Sequence, residues 1–159
     1  AGIDPEEEYF MIEGAADVYC DPPVPFQYKL YDIDGKIVRR IEIAPSAERP
    51  HKVKEKEGPP LAYIRQDDEN FVANKVLLRF MSDRNPDTQR KNLVAYGPAE
   101  RMLFDYLSEN PEISVSKFSR IAKIPMYRAE KILALFLKWE VVDFYASDKG
   151  IRFRLKEED

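Results

Sequence analysis

The apolar residues at the start of the chain recur at helical spacing. Tyr9, Ile12, Ala16 and Tyr19 follow Asp4, Pro5 and Glu7, which supply an N-cap, a proline at the first helical position and a carboxylate three residues after the cap. This predicts a helix that ends before the Pro22-Pro23-Val24-Pro25 run, where proline cannot continue it. The period then changes to two. Phe26, Tyr28 and Leu30 alternate with Gln27 and Lys29, Asp34-Gly35 is a two-residue turn signal, and Ile37 to Ile43 is β-branched, so a hairpin is expected. A short strand is predicted at residues 61–65. Asp67 to Asn70 is read as the cap of a helix carrying Val72, Ala73, Val76, Leu77 and Phe80 on one face.

Residues 83–92 contain no apolar side chain and read as a linker. Beyond it, Gly97-Pro98-Ala99-Glu100 opens a helix with Met102, Leu103, Tyr106 and Leu107 on one side, stopped at Asn110-Pro111. Ser114 caps a second, short helix, with Ile113 placed to staple onto Phe118. Ala129, Ile132, Leu133, Phe136 and Leu137 form the stripe of a third. Val141 to Tyr145 reads as a strand, 147–150 as a turn, and Ile151, Phe153 and Leu155 alternate with Arg152, Arg154 and Lys156 in a last strand. Three helices followed by a hairpin is the layout of a winged helix-turn-helix domain, though the same order also serves as a protein-docking module.

Composition narrows the chemistry. The chain has 159 residues, long enough for one domain or two small ones. The single Cys20 excludes an internal disulfide and a cysteine zinc site, and the single His51 excludes a multi-histidine metal site within one chain. Gly2, Gly14, Gly35, Gly58, Gly97 and Gly150 lie too far apart for a P-loop or a dinucleotide fingerprint. No cofactor and no binding of nucleoside triphosphate are therefore expected. No apolar stretch reaches the roughly 18 residues of a membrane helix, and the acidic start lacks the pattern of a secretory signal, so a cytoplasmic location without membrane contact is expected.

Two charged clusters offer chemistry. Glu6, Glu7 and Glu8 are consecutive; helical neighbours point about 100° apart, so they cannot converge on one ion and read as a solvated helix start. Arg49-Pro50-His51-Lys52-Val53-Lys54 is a basic loop that could hold phosphate, or a solvated loop balanced by Glu55 and Glu57. His51 lacks an identifiable group to orient it as a general base.

The run Tyr9-Phe10-Met11-Ile12, the strand exit Ile41-Glu42-Ile43-Ala44-Pro45-Ser46, Arg49-Pro50-His51, and Tyr63-Ile64-Arg65 followed by Asn70 and Ala73 resemble the later half of the Schlafen-type Alba-like domain, a family labelled DNA-binding or divergent ATP-binding. The match spans about residues 3 to 80 as a spaced series. The acidic helix-strand segment with Phe-Ala-Asn and Gly-Gly patterns that opens such domains has no counterpart, so the chain is expected to begin in mid-domain. No catalytic residue is carried over from nuclease relatives, and the ATP-binding label finds no glycine-rich loop. Residues 95–156 resemble the carboxy-terminal helical domain that accompanies the Alba-like domain in bacterial relatives. A hairpin without its neighbouring strands would offer an unpaired edge to another chain, and a homo-oligomer is expected.

The expectation is thus an α+β chain. Residues 1–83 form an incomplete Alba-like α/β unit with a β-hairpin, 84–94 a linker, and 95–156 a C-terminal winged helix-turn-helix domain. Residues 1–94 hold 14 Lys/Arg against 18 Asp/Glu, and 95–159 hold 11 against 11, or +3 without the last three residues. Tyr127, Arg128, Lys131, Ala134 and Lys138 would form the outward stripe of the third helix, with Lys149, Arg152, Arg154 and Lys156 on the wing. Nucleic acid, double-stranded DNA in particular, is the expected partner through Tyr127, Arg128, Lys131, Lys138, Lys149, Arg152 and Arg154, with no catalysis by the chain itself. The alternatives are an interaction or oligomerisation module using Leu135, Trp139 and the hairpin edges, or part of a nuclease whose acidic site lies upstream.

Overall fold

A computed structural model describes residues 5–82 and 97–157. It divides into two compact units, Ala1–Ala62 and Tyr63–Asp159. Both mix helix with small antiparallel hairpins, so the α+β class holds. The linker expected at 84–94 lies outside the described residues.

In the first unit, helix α1 (Pro5–Glu13) runs into a single π-helical turn, Gly14–Val18, closed by Tyr19 N–H donating to the Gly14 carbonyl at 3.2 Å. The wider turn breaks the helical spacing, which is why Tyr19 lies exposed rather than continuing the stripe of Tyr9, Ile12 and Ala16. Strand β1 (Cys20–Asp21) then pairs with β4 (Lys52–Val53). Between them, β2 (Gln27–Ile33) and β3 (Lys36–Glu42) form the expected hairpin in register Ile33↔Lys36 to Gln27↔Glu42. Its two turn residues, Asp34 (φ 54°) and Gly35 (φ 74°), both take the left-handed conformation that suits a tight hairpin. One face meets α1: Tyr9 packs on Tyr28 with ring centroids 4.9 Å apart, Arg39 lies over the Tyr28 ring, and its guanidinium pairs with Glu8. None of the described residues from 6 to 61 is buried.

The second unit carries the core. Strand β5 (Tyr63–Gln66) answers the strand expected at 61–65; with β6 (Glu69–Val72) it forms a hairpin turned by Asp67 at φ 53°, where the sequence suggests a helix cap. Aspartate tolerates that left-handed conformation, and Phe71 alternates inward from a strand. The true cap is Asn74, whose Oδ1 accepts from the N–H groups of Val76 at 3.0 Å and Leu77 at 3.1 Å and starts α2 (Lys75–Ser82). Asn74→Ala is expected to cost about 1 kcal/mol in urea denaturation, with Asn74→Asp close to wild type.

Helix α3 (Pro98–Glu109) begins with Pro98 at its first position, and the Glu100 carboxylate accepts from Gly97 N–H at 3.1 Å. Leu103 and Leu107 are buried as expected; Met102 is exposed, and Phe104 instead stacks on Phe136. Ser114 caps α4 (Val115–Ile121) by accepting from Lys117 N–H. Helix α5 (Met126–Lys138) follows, then β7 (Val142–Tyr145) and β8 (Arg152–Leu155), paired Val142↔Leu155 to Tyr145↔Arg152. Ile113 and Phe153 exchange both backbone bonds at 2.8 and 2.9 Å, so a third short segment joins the β7–β8 hairpin before α4. Phe118, Leu133, Leu103, Ile113, Val142 and Phe153 form the centre of this core.

The unit that begins at Tyr63 takes in β5, β6 and α2, which the sequence expectation places with residues 1–83. Helix α2 packs against α5, and Arg79 reaches Glu130 at 3.4 Å.

Candidate nucleic-acid interface

Helix α5 has to satisfy two packing partners. Ala129, Ile132, Leu133, Phe136 and Leu137 are buried as their spacing predicts. Because α2 packs on the same helix as α4, Glu130 and Ala134 are buried as well. The proposed stripe of Tyr127, Lys131, Ala134 and Lys138 is therefore not continuous: Ala134 is covered and Lys138 is half-buried. Solvent reaches chiefly the first turns of α5, where Met126, Tyr127, Arg128 and Lys131 are exposed. Arg128 and Lys131 lie three residues apart and share a face.

The turn ahead of α5 is held tightly. Ser119 Oγ donates to the Ile124 carbonyl at 2.7 Å, Ile124 N–H donates to the Ser119 carbonyl at 3.1 Å, and Lys123 takes a left-handed φ of 52°. This fixes α4 against α5 through a four-residue connection, 122–125. Between Ile113 and Trp139 the chain has six cations, Lys117, Arg120, Lys123, Arg128, Lys131 and Lys138, and one acid, Glu130. That acid is buried on Arg79, so it does little to offset the outward charge. Among the described residues, Arg120, Lys123, Arg128 and Lys131 are exposed and make no ion pair. Lys117 lies 5.6 Å over the Tyr106 ring.

The wing differs. Arg152 faces Glu112 at 3.5 Å, Arg154 faces Asp143 at 3.7 Å and lies over the Tyr145 ring, and Lys156 bonds Glu140 at 2.8 Å. The Lys156 ammonium holds the Glu140 carboxyl below its usual range. Of the four wing residues singled out from sequence, Lys149 alone is exposed with no ion pair among the described residues.

Lys117, Arg120 and Lys123 do not stand out in the sequence, because over residues 95–159 acids elsewhere cancel their charge. A window restricted to the two helices and their turn contains the signal.

The clusters of the first unit do not converge. Glu8 is taken by Arg39, and among the described residues no group of three or more His, Cys, Asp and Glu could hold a metal ion. His51 Nδ1 contacts the Pro22 carbonyl at 2.7 Å, and Lys54 Nζ donates to the Val18 carbonyl at 3.0 Å, so the basic loop is tied partly to its own backbone. No described helix is long and apolar enough to cross a membrane. Compared with known proteins, the chain matches no family model, no curated protein and no solved structure.

Proposed function

We propose that the unit beginning at Tyr63 is a winged-helix module that binds double-stranded nucleic acid, in the manner of a regulator and without catalysis of its own. The observation that carries this reading is the set of exposed cations Arg120, Lys123, Arg128 and Lys131, without ion pairs among the described residues, on two consecutive helices and the short turn that joins them. In such a docking mode the second helix enters the major groove by its first turns, and the helix before it crosses the phosphate backbone. Tyr127, Arg128 and Lys131 stand where bases and nearby phosphates would be met. Arg120 and Lys123 stand where phosphates would be. The order of helix, bridging segment at Ile113, two helices and a hairpin supports the winged-helix assignment.

The wing contributes chiefly through Lys149, since Arg152 and Arg154 are already offset by carboxylates. Lys138, half-buried near the end of α5, lies away from the exposed first turns and is a peripheral contact at most.

The test is titration of a mixed-sequence duplex at several salt concentrations. Four phosphate contacts would give a log-affinity against log-salt slope of about −3.6, at roughly 0.9 per contact. Binding that is weak and insensitive to salt would oppose the proposal.

A further inference from the structure

We infer that Met126 and Tyr127 meet the C5-methyl groups of thymine, so that the polymer held by the two helices is B-form DNA and not RNA, at sites that carry thymine. This deepens the proposed function and rests on it: the surface is the same, and its ligand is narrowed to one polymer and one base.

The first turns of α5 hold apolar surface that the fold does not use. Ala129 and Glu130 turn inward, which leaves Met126, Tyr127, Arg128 and Lys131 facing solvent. Met126 is 44% exposed and Tyr127 57%. Neither side chain starts the helix, because the Pro125 carbonyl accepts from the N–H groups of Arg128 at 3.0 Å and Ala129 at 3.2 Å. Among the described residues the Tyr127 hydroxyl and ring have no partner.

Charge complementarity selects the occupant. Tyr127 and Lys131 lie four residues apart and share a face, as do Arg128 and Lys131, and Arg120 and Lys123 precede them. All four cations are exposed and without ion pairs among the described residues. An apolar protein surface laid on Met126 and Tyr127 would strip water from the cations beside them and offer no counter-charge. A polyanion with apolar groups set between its charges meets both needs. In the major groove of B-DNA each thymine presents a methyl group on its base edge, with phosphates flanking the groove. RNA fails on two counts: uracil lacks that methyl, and the A-form major groove is too deep and narrow for side chains to read.

Fluorescence anisotropy with three duplexes of one mixed sequence tests this: ordinary DNA, the same DNA with deoxyuridine at every thymine, and RNA. Deoxyuridine keeps the phosphate charge and the pairing with adenine and removes only the methyl. A methyl group shielded from water contributes about fourfold in affinity, so through two side chains the wild type should bind the thymine duplex roughly tenfold tighter than the deoxyuridine duplex, with RNA weaker than either. Met126→Ala with Tyr127→Ala should bind the two DNA duplexes within about twofold of each other, while its log-affinity against log-salt slope stays that of the wild type, because no cation is removed. Met126→Leu with Tyr127→Phe keeps the apolar contact and should keep the preference. Equal binding of the thymine and deoxyuridine duplexes by the wild type, with a steep salt dependence, would overturn this inference and leave the nucleic-acid reading standing. RNA bound as tightly as DNA, or a thymine preference that survives in the alanine variant, would do the same. Loss of salt-dependent binding to all three duplexes would overturn that reading and this inference with it.

Discussion

Phe153→Ala is expected to cost about 3 to 5 kcal/mol, a large share of the roughly 5 to 15 kcal/mol that holds a small domain folded. Phe153 is fully buried, and its backbone bridges Ile113 on one side while β8 pairs with β7 on the other. Truncation removes a large side chain from the place where the helical core meets the sheet, and backbone pairing on both sides limits collapse into the cavity. Ile37→Ala makes the contrasting control: in a monomer that exposed hairpin position should shift stability by no more than about 0.5 kcal/mol. Urea denaturation followed by circular dichroism measures both. A Phe153→Ala protein within about 1 kcal/mol of wild type would mean the core is centred elsewhere.

The second large effect concerns the contact between α2 and α5. Glu130 is buried on α5, and Arg79 reaches its Oε2 through both Nε and Nη2 at 3.4 Å. Arg79→Met should destabilise by about 1 to 3 kcal/mol, since it leaves a carboxylate in a site closed to water. The estimate stays below that of a fully buried pair because the Arg79 side chain is 41% exposed and its bonds are long. Adding Glu130→Met removes the stranded charge and should recover most of the loss, as an apolar pair of similar volume often serves as well. If Arg79→Met were neutral, or the double variant no better than the single, the pair would not be what joins these helices.

This contact also marks where sequence reading stops. The stripe Ala129, Ile132, Leu133, Phe136 and Leu137 is legible because a single buried face repeats at helical spacing. Glu130 and Ala134 look like solvent positions on the same wheel, and only α2, about fifty residues earlier, makes them interior. Local patterning cannot report a partner that arrives from so far along the chain.

Strand β6 is hidden in the sequence for a related reason, while β5 answers the strand expected at 61–65. Asp67, Asp68, Glu69 and Asn70 are as good a helix start by composition as a turn, and the cap proved to be Asn74, four residues on. Conversely, the Asp34-Gly35 hairpin and the Ser114 cap were legible because each depends on residues within a few positions of one another. The cationic strip was present in the sequence but diluted. Its meaning depends on Glu130 being turned inward, which no charge sum reveals.

The most direct test of the nucleic-acid account compares two double variants in one salt titration against mixed-sequence duplex. Arg120→Ala with Lys131→Ala removes one exposed cation from each helix, neither in an ion pair among the described residues, and should flatten the log-affinity against log-salt slope by about 1.8. Arg152→Ala with Arg154→Ala removes cations already matched by Glu112 and Asp143, and should flatten it by less than about 0.9. If the wing variant flattened the slope as much as the helix variant, or neither changed it, the two helices would not be the surface that meets nucleic acid.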